Sequence, residues 1–96
     1  MKKIMIYEYA GSFAENKDVA RDLRIQQIIP SLDIKEDVTL DFSGVDSATQ
    51  SFIHALLSDV IRKKGVESID HMYFENCTET VQKIITIVMD YMQEAL

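Results

Sequence analysis

Between Asp37 and Gly65 the hydrophobic pattern changes its period once, and that change constrains the fold more than any other feature of the chain. From Asp37 to Ser43 (DVTLDFS) the residues alternate, with Val38, Leu40 and Phe42 on one face and Thr39, Asp41 and Ser43 on the other. Period two over this length predicts a strand. After Gly44, the residues Phe52, Ile53, Leu56, Leu57, Val60 and Ile61 form two adjacent i,i+4 rows, the wide apolar face of a helix. Ser47-Ala48-Thr49-Gln50 has the form of a capping box, with Ser47 as N-cap and Gln50 reaching back. Lys63 and Lys64 suit the negative end of that helix, and Gly65 suits the residue just beyond it.

The same succession flanks this segment. Lys3 to Tyr9 (KIMIYEY) is rich in β-branched and aromatic residues and predicts a strand buried on both faces. Asn16 is a good N-cap, with Asp18 in the positive first turn of a helix whose stripe is Val19, Ala20, Leu23 and Gln27. Pro30 has no N–H and disfavours helix before it, so the helix is expected to end near Ile29. Ser68 to Asn76 predicts a third strand. Thr78 is the expected N-cap of a last helix, along which Val81, Ile84, Ile85, Val88, Met92 and Leu96 recur.

The order β-α-β-α-β-α predicts an α/β fold: one small domain over residues 1–96, three β-α turns, and a mainly parallel sheet packed by helices. If strands adjacent in sequence are adjacent in space, all three helices share one sheet face. The other face then needs a polar surface, a partner or a second copy to cover it.

Composition removes several classes of function. The net charge is −6, from 16 acidic and 10 basic residues, and the basic clusters Lys2-Lys3 and Arg62-Lys63-Lys64 are short. A nucleic-acid binder needs a basic face against phosphates, so DNA, RNA and anionic membrane surfaces are disfavoured as partners. The apolar run Ile4–Tyr7 breaks at Glu8, too soon for a signal-peptide core, and no run approaches a membrane span. A cytoplasmic location is expected, and Asn76-Cys77-Thr78 is then a chance glycosylation sequon. Cys77 is the single cysteine, so no intramolecular disulfide forms.

No constellation argues for an enzyme or a cofactor. The three glycines, Gly11, Gly44 and Gly65, make no phosphate loop. His54, His71 and Cys77 match no zinc spacing, and both histidines read as structural or surface residues. A Cys77–His71 nucleophile pair is conceivable, but a small buried thiol is the better reading. Asp41 follows a strand as a phosphorylatable receiver aspartate would. Glu8 stands alone, however, and no lysine follows the third strand, so Asp41 is expected to cap backbone groups instead. Met72, Met89 and Met92 fill core gaps, while Tyr91 with Ile87 offers a docking stripe on the last helix.

The strand-to-helix junction Leu40–Phe52 (LDFSGVDSATQSF) gathers Ser43, Asp46, Ser47, Thr49 and Ser51 where open parallel sheets collect functional groups. This segment, followed by an apolar helix ending at Gly65, resembles the STAS domain of anti-sigma-factor antagonists and sulfate-transporter tails. More specifically it resembles the bacterial STAS-like family, most strongly over residues 38–65. Typical STAS domains begin with an extra strand or hairpin, for which this chain is too short. Aligned without gaps, Ser51 falls on the serine that a partner kinase phosphorylates, Gln50 on the preceding serine and Thr49 on an aspartate, while Phe52 replaces a glycine.

The resemblance implies a regulatory protein-interaction module that binds its partner through residues 41–54. Ser51 is the candidate phosphosite, and Ser47, Thr49, Asp46 and Gln50 surround it. By analogy the partner is a histidine-kinase-like ATPase or an anti-sigma-type regulator. The alternative is a structural subunit that acts by homodimerisation, without a covalent switch.

Overall fold

A computed structural model describes residues 1–94 of the chain. Three strands, β1 (Lys2–Met5), β3 (Val38–Asp41) and β5 (Met72–Glu75), form a parallel sheet in the order β1-β3-β5. Strands adjacent in this sheet therefore follow one another in chain order, the condition under which the helices share one face. The register sets Ile4 beside Leu40 and Leu40 beside Phe74, with Val38 beside Met72, so one face is apolar. The helices α2 (Lys17–Leu23) and α6 (Glu79–Glu94) both pack against α4 (Gln50–Leu57), which lies between them in the layer. Ile4, Val38, Leu40, Phe42, Phe52, Ile53 and Leu56 are all buried in the resulting core.

The opposite sheet face is a polar surface, which is one of the three covers foreseen. Lys3, Tyr73 and Glu75 are exposed there, while Thr39 and Asp41 in the central strand are each only 2% exposed. Met1 lies over Thr39, whose hydroxyl donates to its sulfur at 3.1 Å, and Lys3 reaches Asp41. No helix among the described residues is long and apolar enough to cross a membrane.

Several element boundaries differ from the sequence expectations. The first strand stops at Met5, and Ile6–Ala10 forms the short helix α1. Its partner β3 ends at Asp41, opposite Met5, so residues beyond have no ladder to join. The β-branched and aromatic character of this run is overridden by the missing partner. Two further strands, β2 (Phe13–Ala14) and β4 (Ser47–Ala48), pair in parallel as a separate small sheet that was not foreseen.

Pro30 does not end its helix. After α2 the chain widens into a π-helical stretch, Arg24–Ile28, and continues as α3 (Ile29–Asp33). The Ile29 N–H bonds the Arg24 carbonyl, five residues back. That widened turn opens the ladder just ahead of Pro30, where the ring would otherwise meet the Gln26 carbonyl.

The central helix is also divided. α4 ends at Leu57, Asp59 takes a left-handed conformation at φ 66°, and α5 (Val60–Lys64) follows. The break keeps both apolar rows inward, since Leu56, Leu57, Val60 and Ile61 all remain buried. The nearly buried Arg24 holds the junction. Its Nη1 donates to the Ala55 carbonyl at 2.8 Å and to the Ser58 hydroxyl, and its Nη2 lies 3.9 Å from Asp59.

Val66–His71 forms a 3₁₀ helix that takes in Ser68–His71, the expected start of the third strand, and β5 begins only at Met72. Thr78 caps α6 as foreseen, accepting from the Val81 N–H at 3.2 Å. Leu96, expected on the α6 stripe, lies outside the described residues.

Phe42 leaves β3 toward the helices and is fully buried. Phe42→Ala is expected to lower the unfolding free energy by about 3–5 kcal/mol, measured by urea denaturation. A loss below about 1 kcal/mol would mean that the site is not closely packed.

Candidate functional site

The strand-to-helix junction is held on three sides by hydrogen bonds to its main chain. The Val45 N–H closes a turn on the Phe42 carbonyl at 2.9 Å. Gly44, at φ 85°, makes that turn, and a Cβ on it would lie 3.0 Å from the Tyr7 ring. The N–H groups of Asp46 and Ser47 both donate to the Ser12 carbonyl, at 2.8 and 3.3 Å, and the Thr49 N–H donates to Ala14 at 3.0 Å. From the other side, the Thr78 hydroxyl donates to the Asp46 carbonyl at 3.0 Å. Residues 46–49 are thus fixed by β2 and by the start of α6.

Asp41 organises the loops around the junction. Its carboxylate accepts from the Ser43 N–H at 2.9 Å, from the Asn76 amide at 3.1 and 3.2 Å, and from Lys3 at 3.2 Å. These partners, led by the Ser43 N–H and then the Asn76 amide, hold its carboxyl far below the usual carboxylate range. Asp41 therefore caps backbone groups at the strand end, as expected, and is no part of an open surface.

The five candidate residues fall in four places. Ser47 is not the helix cap: it pairs in β4, half-buried. Thr49 takes that position, its hydroxyl accepting from the Phe52 N–H at 3.0 Å. The capping box fails because β2 extends the chain through Ser47 and Ala48 and shifts the helix start by two residues. Gln50 is then the first helical residue and does not reach back. Asp46 stays exposed at the tip of the corner.

Gln50 and Ser51 face a different surface, an open trough of about 530 Å³ lined also by Lys17, His54, Ala55, Ile87, Val88 and Tyr91. Its floor is the outer side of α4. One rim is the start of α2 and the other is α6. Ser51 is exposed, and its hydroxyl makes no hydrogen bond among the described residues. Ile87 and Tyr91 are 49% and 64% exposed, and the Tyr91 ring meets His54 edge-on with centroids 6.4 Å apart.

The phosphosite candidate and the docking stripe, separate features in the sequence, thus meet on one surface. Lys17 was missed. It follows the cap Asn16, whose side chain accepts from Asp18 and Val19, but no local pattern relates it to Ser51.

The remaining chemistry-bearing residues do not converge. His71 bonds Asp37 at 2.9 Å ahead of β5, whereas Cys77 lies beyond the far end of that strand. Partial burial pushes the Cys77 thiol up, and the Asp41 charge adds to this. The paired nucleophile considered from the sequence is not assembled. Among the described residues, no group of three or more His, Cys, Asp or Glu side chains is placed to hold a metal ion.

Asp41 gives the fold an acid-sensitive contact. A carboxyl lowered in the folded state stabilises above its unfolded value near 3.8 and loses that contribution as pH falls below it. The urea midpoint of the wild type is therefore expected to drop between pH 5 and pH 3. Asp41→Asn is expected to start lower at pH 7 and to drop less over the same interval. Parallel acid limbs for the two proteins would remove Asp41 as the source.

Neither curated proteins nor solved structures gave a match to the chain. A family model described as a STAS-like domain of unknown function (DUF4325) matches residues 19–82. The match runs from α2 through β3 and α4 to the first turn of α6, across the junction and the trough floor but not the rim residues Lys17, Ile87 and Tyr91. With its parallel sheet and helical layer, the chain belongs to this STAS-like family.

Proposed function

We propose that this domain is a regulatory module of the cytoplasm that acts by binding a protein partner and not by catalysis. The contact surface is the exposed candidate residues of the 41–54 junction, Asp46, Gln50 and Ser51, together with the trough that opens from it. One observation carries the reading: Ser51 is exposed in a trough walled by unburied apolar side chains, Ile87 and Tyr91. A hydroxyl beside an apolar docking surface is suited to switching, since phosphate adds roughly −1.5 to −2 charges without changing the fold. In the first turn of α4 the helix dipole tolerates that charge, and Lys17 lines the same surface. Resemblance to anti-sigma-factor antagonists suggests a histidine-kinase-like ATPase or an anti-sigma-type regulator as the partner.

The second reading is a homodimeric assembly subunit, favoured by the same exposure of Ile87 and Tyr91 on α6. Sedimentation separates the two. A dimer at micromolar concentration that Tyr91→Ala dissociates would support the second reading, and a monomer would support the first.

The direct test is capture of partners from the native cell, with mapping of phosphosites on the recovered chain. A partner held by the wild type is expected to bind Ser51→Asp roughly tenfold more weakly, a change of about 1.4 kcal/mol. It is expected to bind Ser51→Ala nearly as well as the wild type. Equal affinity for folded Ser51→Asp would remove Ser51 from the mechanism.

A further inference from the structure

We propose that the trough over α4 receives an acidic amphipathic helix of the protein partner, with its apolar face on Ala55, Ile87 and Tyr91 and a carboxylate on Lys17. This rests on the interaction reading above and specifies the chemistry of the occupant. Three features of the surface select it.

First, charge. The chain carries −6, yet no carboxylate lines the trough, whereas Lys17 and His54 do. Lys17 makes no ion pair among the described residues. An occupant with an acidic flank meets a complementary rim here, and a basic one does not.

Second, backbone. The floor and both rims are helical, so beyond the first-turn N–H groups of α2 and α4 their main-chain groups are bonded within their own helices. A peptide that binds by adding a strand needs a free sheet edge, and the trough presents none. A helix satisfies its own N–H and C=O groups and needs only side-chain contacts. Ile87 and Tyr91 lie one turn apart on α6, the spacing at which a helix offers apolar anchors in return.

Third, symmetry. A second copy docked through the same trough about a two-fold axis would bring two identical patches together, and neither lining holds a carboxylate to meet the other's Lys17. Like groups on a self-complementary surface disfavour this chain as its own occupant.

The test uses the whole chain and two synthetic 18-residue helical peptides. They share one leucine face and differ only in carrying glutamate or lysine on its flanks. Amide shifts of the ¹⁵N-labelled protein locate binding, and fluorescence anisotropy measures affinity.

The acidic peptide is expected to shift residues 17, 50–55 and 87–91 and to bind more tightly than the lysine peptide. Lys17→Glu is expected to weaken the acidic peptide roughly tenfold and to strengthen the basic one. Tyr91→Ala is expected to weaken both by roughly tenfold. Lys83→Glu, whose lysine pairs with Glu79 outside the trough, is expected to change neither in the trough. Both trough side chains are exposed, so these variants should keep the wild-type urea midpoint.

Three outcomes overturn the proposal: a lysine peptide that binds the trough as tightly as the acidic one, shifts that map elsewhere, or no binding of either peptide at millimolar concentration. If neither peptide binds while a native partner is still released by Ser51→Asp, the helical acidic occupant is wrong and the interaction reading stands. If the acidic peptide binds as expected while Ser51→Asp releases nothing, the occupant stands and the switch fails.

Discussion

Parallel pairing of β3 with both neighbours sets Asp41 level with Met5 on one side and Glu75 on the other, at the end of the sheet where the chain leaves for α4. Everything at the site depends on that position. One face of β3 is sealed by the helical layer, and on the other Thr39 and Asp41 are covered by the side chains of neighbouring segments. A strand buried on both faces has no freedom to slip in register, because each alternate side chain would change sides. The Asp41 carboxylate then fixes where the strand ends by holding the Ser43 N–H, while its bonds to Asn76 tie in the loop that leads to α6. The turn at Gly44 and the main-chain bonds to Ser12 and Ala14 carry that precision on to the start of α4.

The consequence is a rigid corner with two outward surfaces. Asp46 is exposed at the tip, while Gln50 and Ser51 look over α4 toward α6. Rigidity favours recognition, since little ordering entropy is left for a partner to supply. It also lets one charge on Ser51 alter a surface without moving the core beneath it, where Phe52 and Ile53 are fully buried. In the proposed complex the apolar rim would give affinity, and the polar groups Lys17, Gln50 and Ser51 would give direction.

What could be read in the sequence was whatever depends on short-range pattern. The alternation over residues 37–43, the double apolar row of 52–61 and the caps Asn16 and Thr78 all depend on neighbours within a turn or a strand. These features were enough for the α/β class and for the STAS-like resemblance, while the strand order stayed a condition that the structure fulfils. What escaped depends on distant partners. Ile6 to Tyr9 suits a strand by composition, but the strand it would pair with ends at Asp41. Ser47 has the chemistry of a cap, yet β2, more than thirty residues earlier, draws it into a ladder. Arg24 falls four residues from both Ala20 and Ile28, on a buried stripe. A charged residue there is a local anomaly, but its acceptors at Ala55 and Ser58 are 31 and 34 residues away. The trough itself combines α2, α4 and α6, and no single segment discloses it.

The central claim is that another protein reads the start of α4 and the α6 surface beside it. Hydrogen–deuterium exchange of the chain, alone and bound to its native partner, tests this most directly. The account requires slower exchange concentrated in residues 46–55 and 84–92, with the β5 segment unchanged. Protection confined to β5 and the polar sheet face, with α4 and α6 unaffected, would contradict it.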